Sequence, residues 1–157
     1  MPQSSAGILL YRRDGAELEI FLVHPGGPFW AKKDRDAWSI PKGLYEKGEE
    51  PLAAARREFQ EETGQEAEGS CVLLGEFRQP GGKRVTAYAL QGDCDETAIR
   101  SNLFSMEWPP RSGKKQEFPE VDRAGWFSAD QAEEKLHKGL KPLVAALRAK
   151  LSVKDRT

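Results

Sequence analysis

The stretch RREFQEETG, residues 56–64, carries three glutamates, Glu58, Glu61 and Glu62. Read as a helix, their i, i+3 and i, i+4 spacing projects all three from one face, within an arc of about 100°. Like charges so placed destabilise a helix by roughly a few tenths of a kcal/mol per pair. Two readings compete. In one, the face is simply solvated: glutamate is a good helix former, most charge runs face water, and Arg57 could pair with Glu61 one turn on. In the other, the cluster awaits a cation. Crowded carboxylates form a hard oxygen site suited to Mg²⁺ or Mn²⁺, and the ion turns repulsion into attraction. Mg²⁺ keeps several waters and bridges to phosphates, so a few carboxylates suffice.

The residues upstream bear on the choice. From Gly43 to Gln65 the chain reads GLYEKGEEPLAAARREFQEETGQ. This fits the pattern G-x5-E-x7-R-E-U-x-E-E-x-G-U, where U is a bulky aliphatic residue. Gly43, Glu49, Arg57, Glu58, Glu61, Glu62 and Gly64 fall in register, with the aromatic Phe59 at the first U. The stretch closely resembles the Nudix box, the signature of the Nudix hydrolase family. Gln65 departs from it by standing where an aliphatic residue helps the motif pack, which a semi-exposed position would explain.

The resemblance implies an α/β (α+β) fold of the Nudix type, an α/β/α sandwich with a mixed sheet between helices, as one domain over residues 1–157. It implies a loop–helix–loop that holds Mg²⁺ (or Mn²⁺) through Glu58, Glu61 and Glu62. Glu49 and Arg57 would brace the motif, Gly43 would allow a tight loop and Gly64 would cap the helix. The implied reaction is hydrolysis of a nucleoside diphosphate linked to another moiety, by metal-assisted attack of water on phosphorus. A carboxylate would take the water proton. Glu58 and Glu61 are candidates within the box. Glu117 and Glu120, in QEFPEVD, stand where some family members carry a later glutamate. Glu117 is preferred of the two because Lys114 and Lys115 adjoin it.

Lys42, just before the box glycine, is a candidate phosphate or metal-edge contact, and WSIPKGLYEKGE resembles the approach to the box in diadenosine polyphosphate hydrolases. Arg84 is a second candidate for substrate, with Arg12, Lys32, Lys33 and Arg111 as further cations, and each of these five reads more readily as a solvated surface charge. Trp30, Trp38 and Trp108 could stack on a base, though tryptophans more often serve cores and rims. Pro80, fifteen residues after Gln65, resembles a feature of ADP-ribose-hydrolysing members, but it also opens a PGG turn. Gly81, Gly82 and Lys83 stand where diadenosine polyphosphate hydrolases often have a tyrosine. The leading expectation is therefore a nucleotide or dinucleoside polyphosphate as substrate, with ADP-ribose or a nucleotide sugar as the alternative. A non-catalytic nucleotide sensor is the rival from another class, and the intact glutamates argue against it.

These residues need elements to position them. SSAGILLYRR and ELEIFLVH read as strands around a DGA turn. PGGPFWAKKDRDA reads as a loop, WSIP as a short strand and KGLYEKGEE as a loop. A helix starts at Pro51 and ends at Gly64, with Leu52, Ala55, Phe59 and Thr63 as its apolar stripe, about 110° from the glutamate face. CVLLGEFRQPGGKRVTAYALQG reads as a hairpin and SNLFSMEW as a strand. PPRSGKKQEFPEVD reads as a long loop. GWF is a short strand that leads to a helix capped by Ser128 and Gln131. A last helix after Pro142 lines up Leu143, Leu147 and Leu151.

The 157 residues are 38% hydrophobic and 31% charged, with 24 basic against 25 acidic residues. Such a balance suits one globular domain and argues against general nucleic-acid binding. Cys71 and Cys94 lack zinc-type spacing and read as reduced thiols. Neither His24 nor His137 sits in a triad-like or metal-like spacing, and neither is given a role. The N-terminal apolar stretch ends at Arg12, too soon for a signal peptide or membrane span, so a cytoplasmic protein with no membrane partner is expected, and the resemblance implies a small nucleotide partner.

Overall fold

The first two apolar runs pair with each other. A computed structural model of the chain describes residues 4–15 and 17–155. In it, β1 (Ser4–Asp14) runs antiparallel to β2 (Glu17–Pro25), with Tyr11 opposite Ile20. The turn between them passes through Gly15 at φ +64°, and Ala16 of the expected turn lies outside the described residues. Ile8, Leu9 and Leu10 are all buried, so both faces of β1 are covered and the strand is central.

The sheet order is β4 (Cys71–Arg78), β5 (Arg84–Gln91), β1, β2, β8 (Val121–Ser128), with β3 (Lys42–Leu44) paired to β1. β1 and β5 are parallel and the other pairs antiparallel, so the sheet is mixed. Alternate residues of β1 feed two cores. Leu9 and Tyr11 pack with α2 (Ala129–Lys135) and α3 (Pro142–Asp155), through Ala132, Leu143 and Leu147. Ile8 and Leu10 pack with α1 (Pro51–Thr63), through Ala54, Ala55 and Phe59. The architecture is the expected α/β/α sandwich.

Several local expectations hold. The CVLLGEF and RVTAYALQ runs form the β4–β5 hairpin around Pro80–Gly82. Ser128 caps α2 in a reciprocal capping box with Gln131. Cys71 and Cys94 are free. Among the described residues, no helix is long and apolar enough to cross a membrane.

Other expectations are corrected. WSIP makes only isolated bridges, Val23 with Ser39 and Trp38 with Leu136. The strand lies one step later, at β3, in a segment read as loop. Gly7 of β1 permits it, because a Cβ there would strike Lys42 and the Pro41 carbonyl. PPRSGKKQEFPEVD is not loop throughout. Lys115–Pro119 forms β7, which pairs with β6 (Leu103–Glu107) as a separate two-stranded ribbon. Pro109, Pro110 and Gly113 lie at its tip and Pro119 ends β7 opposite Leu103, while Phe104 and Phe118 face each other at 6.1 Å between ring centroids. β8 is longer than GWF because β2 pairs with it from Val121 to Ser128. In α1 the buried stripe is Ala54, Ala55, Phe59 and Thr63, and Leu52 is only half-buried.

Candidate active site

The helix that carries the glutamates is fixed at both ends and along one face. Pro51 sits in its first turn, and Gly64 ends it in the left-handed region, φ +75°, with its N–H donating to the Gln60 carbonyl at 2.8 Å. Phe59 is buried, 6.1 Å from Phe21 between ring centroids. Buried Thr63 donates its hydroxyl to the Phe59 carbonyl at 2.7 Å and accepts the Gln65 N–H at 3.1 Å. With that face committed to the sheet, Glu58, Glu61 and Glu62 project from the other side, all partly buried.

One guanidinium braces the carboxylates. Arg57 reaches Glu49 at 3.1 and 3.3 Å, Glu58 at 2.8 Å and Glu61 at 3.3 Å. The expected pairing with Glu49 and the i, i+4 pairing with Glu61 are thus both formed. The Glu49 contact, with help from Glu58 and Glu61, holds the Arg57 proton more tightly than usual. Gly43 is needed for closeness: a Cβ there would overlap the Glu58 carboxylate.

At the Glu62 end of this face lies a cleft of about 200 Å³, lined by Pro25, Ser39, Ile40, Lys42, Glu62 and Glu120 among others. A register shift between His24 and Pro25 bends β2 at its edge. Burial, and then the charge of Glu58, push the Glu62 carboxyl up to about 8, with Lys42 opposing and Glu120 adding. Burial and the charge of Glu61 raise Glu58 against the pull of Arg57. Burial raises Glu120. Burial also lowers the Lys42 ammonium, with Glu62 working against it and Lys83 with it.

Among the described residues, no three acidic, histidine or cysteine side chains already stand as a ligand cage. The donor chemistry nevertheless fits a divalent ion. The groups are all oxygen and crowded, and Glu58 and Glu62 favour the proton because of burial and neighbouring carboxylates, which a cation would relieve. Glu58, Glu61 and Glu62 are the residues that could hold one.

The structure sorts the remaining candidates. Glu120, at the junction of β7 and β8, is brought to the cleft. Glu117 is not: it lies exposed on β7 opposite Ser105. Lys42 is at the cleft, but Arg84 is exposed at the start of β5 and pairs with Glu76 at 3.4 Å. Arg12 is engaged by Glu19, Asp93 and the face of Trp126. Lys33 lies over Phe29 and Trp30, Lys32 is exposed, and Arg111 sits at the ribbon tip with φ +62°. Trp38 is a core residue, its indole N–H donating to Asp34 at 2.7 Å. His24 is fully buried between Asp122 and the Lys33 carbonyl. Sequence reasoning missed the segment 100–102, where the Asn102 carbonyl accepts the Glu120 N–H.

The profile of the NUDIX domain matches residues 1–147 of the chain. An RNA pyrophosphohydrolase of Roseobacter denitrificans is 45% identical over 49 residues, which cover 29% of this chain and 31% of that protein. The match thus spans about a third of that relative. Among solved structures, a C. elegans Ap4A hydrolase binary complex superposes with a TM-score of 0.66 at 19% identity, covering 94% of this chain and 98% of that one. The NUDIX domain of Shewanella oneidensis NrtR complexed with ADP ribose gives 0.64 at 17% identity, covering 96% and 89%. At such identities the solved structures speak to the fold alone.

Proposed function

Since the chain belongs to the Nudix family of pyrophosphohydrolases, which generally use divalent metals, we propose that it cleaves a pyrophosphate linkage in a nucleotide or dinucleoside polyphosphate with Mg²⁺ (or Mn²⁺). The observation that carries this reading is the single cleft where Glu62, Glu120 and Lys42 meet, beside the Arg57-braced Glu58 and Glu61. Glu58, Glu61 and Glu62 would hold the ion. When bound, it neutralises phosphate charge and makes its bound water a stronger acid. Glu120, which lines the same cleft as Glu62, accepts the water proton. Lys42 holds a phosphate that is not attacked. Arg57 and Gly43 keep Glu58 in place.

The test is product release across a panel of diadenosine polyphosphates, nucleoside triphosphates, ADP-ribose and nucleotide sugars, with Mg²⁺ and with EDTA. An RNA with a 5′-triphosphate joins the panel because of the stretch shared with the RNA pyrophosphohydrolase. Metal-dependent cleavage of polyphosphates above the rest supports the reading. Preference for ADP-ribose or a nucleotide sugar redirects the substrate. Tight binding without cleavage makes the protein a sensor.

A further inference from the structure

The C-terminal end of α1 is closed by a distant segment. The last carbonyls of a helix lack partners within it. Here the Glu61 carbonyl accepts the Asn102 N–H at 2.8 Å, and the Thr63 carbonyl accepts the Arg100 N–H at 2.9 Å. Gly64 lies against Arg100, where a Cβ would crowd it. Asn102 then turns its other backbone group the opposite way, and its carbonyl accepts the Glu120 N–H at 2.9 Å. One residue thus links the backbone of Glu61 to that of Glu120.

Ser101 locks this link. Its hydroxyl donates to the Asn102 carbonyl at 2.9 Å and accepts the N–H of buried Val121 at 2.9 Å. The Glu120 carbonyl is held as well, by the Gly26 N–H at 2.9 Å. At its other end the segment is tied to the box by Gln65. That side chain donates to the Asp95 carbonyl at 2.8 Å and accepts the Asp95 N–H at 3.1 Å. The residue that departs from the box pattern therefore clamps both backbone groups of Asp95, which an aliphatic side chain could not do. The Trp126 indole N–H adds a bond to the Cys94 carbonyl at 3.1 Å.

We propose that residues 95–102 form a strap that sets the position of Glu120 relative to the α1 carboxylates, with Ser101 and Gln65 as positioning residues for the reaction. This rests on the reading of Glu120 as proton acceptor given above. Neither residue touches the reacting atoms; both act through the backbone of Glu120.

The experiment compares Ser101→Ala, Ser101→Thr, Gln65→Leu and Glu120→Gln, and the double variant Ser101→Ala/Glu120→Gln, on the best substrate of the panel. Mn²⁺ affinity is read by electron paramagnetic resonance and amide exchange by mass spectrometry. Ser101→Ala and Gln65→Leu are expected to lower kcat about tenfold, in the range of residues that orient functional groups. KM and Mn²⁺ affinity should stay within about twofold, because the box carboxylates are untouched. Exchange over 120–121 should quicken. Ser101→Thr, which keeps the hydroxyl, should recover most of the rate. In the Glu120→Gln background, Ser101→Ala should cost nothing further, since coupled residues are non-additive. Equal losses from Ser101→Ala in both backgrounds would overturn the strap while leaving the catalytic reading in place, as would wild-type rates in Ser101→Ala and Gln65→Leu. Wild-type protein that binds Mn²⁺ but turns over no substrate, or Glu120→Gln at full rate, removes the catalytic reading itself, and the strap's role falls with it.

Discussion

The carboxylate of Glu58 lies so close over the Cα of Gly43 that a Cβ there would overlap it. The overlapped atoms are the far end of a flexible side chain, so the chain can yield without unfolding. Gly43→Ala should therefore leave the melting temperature nearly unchanged and displace Glu58. A shift of about 1 Å at a reacting centre can cost roughly 100-fold. A fall in kcat of that order, with little change in thermal unfolding, is expected. Wild-type turnover would show that the contact does not set the working position of Glu58.

Glu62 gives the metal-free protein a pH dependence. Its carboxyl is pushed up to about 8 from an ordinary 4.5. Across that interval the folded chain holds a proton that the unfolded chain has released. Metal-free stability therefore falls as pH rises from about 4.5 to about 8. A divalent ion competes with that proton, so the stabilisation by Mg²⁺ should grow over the same interval. Melting curves at several pH values, in EDTA and in Mg²⁺, would show both trends. Glu62→Gln should flatten the EDTA series and abolish turnover. An unchanged slope in that variant would assign the effect to other groups.

Arg57 is half-exposed, so its ion pairs are screened and contribute about 1 kcal/mol or less to stability. Its catalytic weight should be larger, because one planar fork orients Glu49, Glu58 and Glu61 together. Arg57→Lys cannot reproduce that fork. A drop in kcat of about 10–100-fold is expected for Arg57→Lys and Arg57→Ala alike, as for other groups that orient metal ligands. Steady-state kinetics beside denaturant titrations would separate the two effects. A lysine variant at full rate would reduce Arg57 to a point charge.

His24 is a stability residue. Its ring is fully buried, with Nδ1 2.9 Å from Asp122 and Nε2 2.6 Å from the Lys33 carbonyl. It packs edge-on to Trp38 at 5.1 Å between ring centroids. His24→Phe keeps the bulk but removes both polar contacts. A loss of about 2–3 kcal/mol is expected in a urea titration, from groups left without partners. A change under about 0.5 kcal/mol would mean that Asp122 and the Lys33 carbonyl find other partners.

The box was legible because its spacing lies within one helix, where sequence distance and spatial direction are linked by the 3.6-residue period. Glu58, Glu61 and Glu62 share a face for that reason, and Gly64 caps the helix. The choice between Glu117 and Glu120 was not legible. It depends on the pairing of β7 with β6, which puts Glu117 inside a ribbon and leaves Glu120 at the junction after it. Pro119 was the available signal, since proline tends to end strand pairing. Gln65 looked like a tolerated departure, and its partner Asp95 lies 30 residues on, beyond any local rule.

The parallel pairing of β1 with β5 has a consequence for how the chain assembles. It joins Ser4 to Arg84, 80 positions apart, and α1 lies inside the loop so closed. Long-range parallel contacts incur their loop-closure entropy before any reward, so folding should be slow for a chain of this size. The apolar face of α1 has nothing to rest on until the central strands meet. The carboxylates are therefore gathered late, and a divalent ion would arrive at a site that the sheet has already built, with no part in nucleating the fold.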